Sequence, residues 1–112
     1  MIYLASPYSN PDLAKMQLRY EVVRDLTAKL LKREIWVYSP IVHCHDLAEH
    51  NEMPKSSEFW YNYNVHMMSL AEQLWVLYME GTEESKGIAG EIAWWEANRS
   101  KDTLSFIVAD AW

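Results

Sequence analysis

Apolar and polar positions alternate between two periods along this chain. Met1 to Ala5 is a short apolar run closed by Ser6-Pro7-Tyr8-Ser9-Asn10-Pro11, a dense turn signal, and so predicts a buried strand that delivers a loop. From Asp12 to about Arg33 apolar side chains fall at Leu13, Met16, Tyr20, Val23, Leu26 and Leu30, with charges between them. That spacing predicts a long amphipathic helix. Ile35 to Tyr38 predicts a second strand, stopped by Ser39-Pro40. Ile41 to Ser57 has no clear period and is expected to be a long irregular loop. Residues 58–71 return to helical spacing through Trp60, Val65, Met68 and Leu70, and Gln73 to Met79 is the clearest strand. A polar turn from Gly81 to Lys86, a helix from Gly87 to Asn98 and a last strand from Thr103 to Val108 complete the pattern.

Strands and helices in this order predict a small Rossmann- or flavodoxin-like α/β fold. It has a doubly wound sheet of four or five mainly parallel strands with flanking helices. At 112 residues the chain fits one domain. In such sheets a ligand lies beyond the carboxyl ends of the strands, where the strand order reverses. The loops after Ala5, Tyr38 and Met79 are therefore where chemistry is expected.

Charge narrows the partners. A formal net charge of −6 repels a phosphodiester backbone, so a nucleic acid polymer is an unsuitable partner. The longest apolar run, Leu74 to Met79, is too short to cross a bilayer, and no membrane association is expected. The N-terminus shows no basic region of the kind that opens a signal peptide, and Cys44 stands alone. A cytoplasmic, reduced protein is the expectation. Six Trp and seven Tyr are many for this length, and some are expected to line a cleft or a subunit interface.

Three groups of residues carry candidate chemistry. Gly81-Thr82-Glu83-Glu84-Ser85-Lys86-Gly87-Ile88-Ala89-Gly90-Glu91 follows a strand and opens a helix. Ser85 and Gly87 there offer a hydroxyl and backbone N–H groups to an anionic or polar ligand. Glu91, four residues beyond Gly87, shares its face and can look back into the cleft. The simpler alternative is a carboxylate that complements the helix dipole. Tyr3 with Ser6, Pro7, Tyr8 and Ser9 forms a second group, in which a serine-rich turn can hold a sugar or phosphate above the phenol. An ordinary buried tyrosine and a proline turn is the plainer reading. Glu72, taken by itself, is an acid at a helix end. His43, Cys44, His45 and His50 form a further cluster, and His-x-His can chelate zinc. A polar loop over the cleft, with His43 and His45 touching the ligand, is the reading preferred, with no metal.

The segments Tyr3-Leu4-Ala5-Ser6-Pro7-Tyr8-Ser9, Tyr38-Ser39-Pro40-Ile41, Ala71-Glu72-Gln73-Leu74-Trp75-Val76-Leu77 and Gly81…Ser85-Lys86-Gly87…Glu91 together resemble one group of proteins. It is the nucleoside 2-deoxyribosyltransferase-like superfamily, which includes the deoxynucleoside monophosphate N-glycosidases. The likeness runs in order from residue 1 to about residue 98. It implies that Glu91 attacks C1′ of the sugar, that Tyr3 orients it, and that Glu72 stands where relatives place an Asp assisting departure of the base. It implies no cofactor, a small nucleoside or nucleotide as ligand, and a homodimer or higher homo-oligomer. Glu72 is one methylene longer than that Asp, Glu83 and Glu84 flank the polar turn, and the Ser6–Pro11 loop has no Arg. An uncharged nucleoside, or a phosphate met by a second subunit, fits those differences. A module of this fold that binds a nucleotide-derived ligand without chemistry is the other expectation.

Overall fold

A computed structural model describes Met1–Trp112. Strand β1 (Ile2–Ala5) leads into helix α1 (Leu13–Lys32), then β2 (Val37–Tyr38), α2 (Pro40–His50) and α3 (Ser57–Ser69). Strand β3 (Gln73–Leu77), helix α4 (Lys86–Asn98) and strand β4 (Leu104–Ile107) follow, with short 3₁₀ turns before and after β4. The sheet order is β2-β1-β3-β4 and every pairing is parallel. Tyr3 lies opposite Tyr38 on one side and Leu74 on the other. The chain moves outward from β1 to β2 and then returns to pair β3 with the other edge of β1. The reversal in strand order therefore falls between β1 and β3, and the doubly wound α/β expectation holds.

Successive side chains in a strand point to opposite faces, so a sheet covered on both sides needs apolar residues at every position. Tyr3, Ala5, Leu74 and Val76 pack with Met68, Ala71, Ile88 and Trp95, the layer of α3 and α4. Leu4 and Leu77 face the other way, onto Val23, Leu26 and Leu30 of α1. Burying each Leu, Val, Ile and Met among them contributes about 1.5–3 kcal/mol before entropy is charged against it. Leu13, counted on the apolar stripe of α1, lies in the first turn beyond the core and is 74% exposed. No helix is long and apolar enough to cross a membrane.

The expected irregular loop over 41–57 is instead mostly helix, since α2 runs from Pro40 to His50. Ser39 caps it, accepting the Val42 N–H at 3.2 Å, and Pro40 occupies the first turn, where its missing N–H costs nothing. Ile41, Cys44, His45 and Ala48 make its inward stripe. Ser39-Pro40 thus both ends β2 and starts a helix. The strand expected over 73–79 stops at Leu77, after which Thr82 takes over. Its hydroxyl donates to the Leu77 carbonyl at 2.8 Å and accepts the Met79 N–H at 2.9 Å.

Gly81 sits in that turn with φ +97°, a conformation side chains rarely adopt. A Cβ there would lie 2.3 Å from Nη2 of Arg19, whose Nη1 donates to the Ser9 carbonyl at 3.3 Å. Arg19 of α1 therefore lies between the loop after β1 and the turn after β3. Gly81→Ala is expected to cost on the order of 1–3 kcal/mol. Urea denaturation measures this, and an unchanged midpoint would contradict it.

Candidate active site

Glu91 falls in the second turn of α4, on the side facing the sheet, and is 7% exposed. Its carboxylate accepts a hydrogen bond from the phenol of Tyr3, which is fully buried in β1. Burial raises the Glu91 carboxyl from 4.5 to about 7, and the Tyr3 hydrogen bond opposes that rise. Tyr3 is pushed well above its ordinary value, first by burial and then by the Glu91 charge, so it remains a hydrogen-bond donor. A carboxyl that is buried, oriented and near its titration point at neutral pH has the features of a reacting group.

Above this pair lies a cavity of about 320 Å³, bordered by Ser6, Tyr8, Ser9, His45, Ser85, Gly87 and Glu91 among others. A second cavity, also about 320 Å³, opens between α3 and α4 and shares Ser57, Asn64, Lys86, Gly87 and Glu91 with the first. Glu91 thus borders both. The first residues of α2, α3 and α4 all border the first cavity. Their free N–H groups lend it positive potential. Ser39, Ser56 and Ser85 cap these helices, each accepting a backbone N–H three residues on. Ser85 was expected to serve a ligand. Its oxygen is engaged by the Ile88 N–H at 3.1 Å, which leaves its own O–H to donate. Gly87 lets α3 and α4 approach, since a Cβ there would stand 3.2 Å from that of Ser57.

Four expected site residues lie elsewhere. Glu72 precedes β3, at the opposite end of the strands from Glu91. It is largely exposed and ion-paired with the Met1 ammonium, whose hydrogen bond holds its carboxyl below the usual range. It cannot assist a departing base in this cavity. His43 is two residues from His45 on a helix, and such residues point apart. It is exposed and stacks parallel to Tyr63 at 5.8 Å, outside the cavity. No three His, Cys, Asp or Glu side chains meet in a geometry suited to a metal. Gly81 shapes the turn against Arg19, and Pro7 is fully buried beneath the loop. Tyr3, Ser6, Tyr8, Ser9, His45, Ser85, Gly87 and Glu91 are brought together.

Several bordering residues carried no separate signal. Ser57, Trp60 and Asn64 lie at i, i+3 and i+7 of α3, a stripe legible as one face but not as a ligand-facing one. Asn64 Oδ1 and Ser6 Oγ are buried without a protein partner. Cys44 borders the cavity too, with burial raising its thiol to about 11, so it is not a thiolate nucleophile.

Residues 1–105 match the family model described as a domain of unknown function, DUF1937. The chain belongs to this family. No curated protein matches it. The DUF1937 match takes in β1 to β3, all four α-helices and the start of β4, and with them every residue that borders the two cavities.

Proposed function

We propose that this DUF1937 chain cleaves the N-glycosidic bond of a nucleoside or its 5′-monophosphate, as an N-glycosidase or 2-deoxyribosyltransferase with Glu91 as nucleophile. The observation that carries this reading is the Tyr3–Glu91 pair beneath a cavity at the reversal of strand order. The likeness of the opening segment and the Ser-x-Gly-x-x-x-Glu element to the deoxyribosyltransferase-like proteins supports it.

In the first step a Glu91 oxygen bonds to C1′ while the C1′–N bond breaks, and its electron pair leaves with the base, which takes a proton from water. An oxocarbenium-like state is stabilised by the adjacent carboxylate. In the second step water, or the nitrogen of another base, attacks C1′ and returns the carboxylate. Neither step needs a metal or organic cofactor. The second cavity gives the incoming molecule its own approach to Glu91. Lys86 and the capped helix ends suit a 5′-phosphate, and Glu84 at the same cavity suits an uncharged nucleoside. The reading includes a cytoplasmic setting and a homodimer or higher oligomer that covers exposed Phe59.

A binding module without chemistry is the second reading, favoured by one observation. With Glu72 at the far end of the strands, the only other carboxylate at the first cavity is the exposed Glu84. Incubation with a panel of nucleosides and 5′-monophosphates, followed by chromatography for free base, separates the two. Base accumulating in proportion to protein is the expected result. An intact ligand that raises the melting temperature would favour the binding module, and a panel in which no member gives either base release or a thermal shift would sink both.

A further inference from the structure

We propose that the Tyr8–His45 pair is a base-recognition subsite, holding the imidazole as an Nε2–H donor that selects a base bearing a carbonyl oxygen over one bearing an amino group there. This rests on the reading of the ligand as a nucleoside or nucleotide.

His45 projects inward from α2, is 8% exposed and borders the first cavity. Its ring is fixed on two sides. One face stacks on Tyr20, with centroids 3.9 Å apart and planes 18° from parallel, and Tyr8 meets it edge-on. Nδ1 lies 2.6 Å from the Tyr8 hydroxyl. In the proposed subsite that hydroxyl, which has no other partner in the protein, donates its hydrogen to Nδ1. Burial raises the phenol to about 12, which keeps that hydrogen in place, and burial, followed by Lys55, lowers the imidazole and favours its neutral form. A neutral ring that accepts at Nδ1 carries its own hydrogen on Nε2. Nε2 has no partner within the protein, yet it is not among the buried polar atoms left unpaired. It is therefore accessible, on a side chain that borders the cavity. Trp60 borders the same cavity and offers a face on which a base can stack.

A fixed donor discriminates by what it meets. A carbonyl oxygen completes the hydrogen bond, whereas an amino group sets N–H against N–H and leaves both unpaired. The two commonest base exchanges of this kind are 6-oxo against 6-amino purines and 4-oxo against 4-amino pyrimidines.

Isothermal titration of the Glu91→Gln protein, in which ligands stay intact, with inosine against adenosine and uridine against cytidine tests this. In at least one pair the carbonyl member is expected to bind about 10-fold more tightly or better. Adding Tyr8→Phe frees the imidazole to take either tautomer and is expected to bring the ratio within about 3-fold, with the ring still packed. His45→Asn, whose amide can rotate, is a second variant with the same expected loss. Equal affinities, an amino preference, or a ratio that survives both substitutions would overturn the proposal. Base release without carbonyl preference would overturn the subsite alone and leave the glycosidase reading standing. Failure of all four nucleosides, and of their 2′-deoxy and 5′-monophosphate forms, to bind would end both.

Discussion

Glu91→Gln is expected to lower base release by at least about 10³-fold while changing ligand affinity little, because the amide keeps the shape of the carboxylate but cannot bond to C1′. The same variant is also expected to change how stability depends on pH. In the folded protein the Glu91 carboxyl titrates at about 7, against 4.5 for an ordinary one. Between those values the folded chain holds a proton that the unfolded chain has released. Stability from this group is thus fully present below about pH 4.5 and is lost as pH rises through about 7. The loss amounts to on the order of 3 kcal/mol. Glu91→Gln removes that dependence. Melting temperatures measured from pH 5 to 8.5 are expected to fall more steeply for the wild type than for the variant. Parallel curves would show that the Glu91 carboxyl does not titrate as its burial implies, and unimpaired base release would remove it from the chemistry.

Tyr3→Phe has the second largest expected effect. The phenol donates the hydrogen bond that counters the burial of Glu91, and a bond to a charged acceptor is worth about 1.5–3 kcal/mol. Without it the acid limb of the rate profile is expected to move about 1–2 pH units upward. Activity at pH 7 then falls about 10-fold or more and recovers toward pH 9. A structural role for Tyr3 would lower activity at every pH without moving the limb. The pH profile of kcat separates the two.

The fold was legible because periodicity reports burial. Ile2–Ala5 and the stretch from Leu74 to Leu77 are apolar at every position, as a sheet covered on both faces requires, and α1 repeats at helical spacing. What escaped was α2, whose inward face carries Cys44, His45 and Ala48, residues of weak hydropathy contrast. The Ser39-Pro40 cap was its only strong mark. Within the site, Tyr3, Ser6, Tyr8 and Glu91 follow from strand ends and a helix start, which sequence locates well. Glu72 was misplaced for a related reason. A residue just before a parallel strand lies at the amino end of the sheet, whereas the reversal site lies beyond the carboxyl ends. Asn64 and Trp60 come from a helix that borders the cavity only through its tertiary placement, and no local pattern distinguishes a cavity-facing stripe from a core-facing one.

The Tyr3–Glu91 hydrogen bond joins residues 88 positions apart, one in the first strand and the other in the last α-helix. No contiguous half of the chain holds both partners. Closing such a long loop is entropically costly, and the contact persists only once the intervening layers have packed. The Tyr3–Glu91 pair is therefore a property of the completed tertiary structure: a nascent chain carries Tyr3 for most of its synthesis with nothing to orient. Competence arrives together with the last stage of folding.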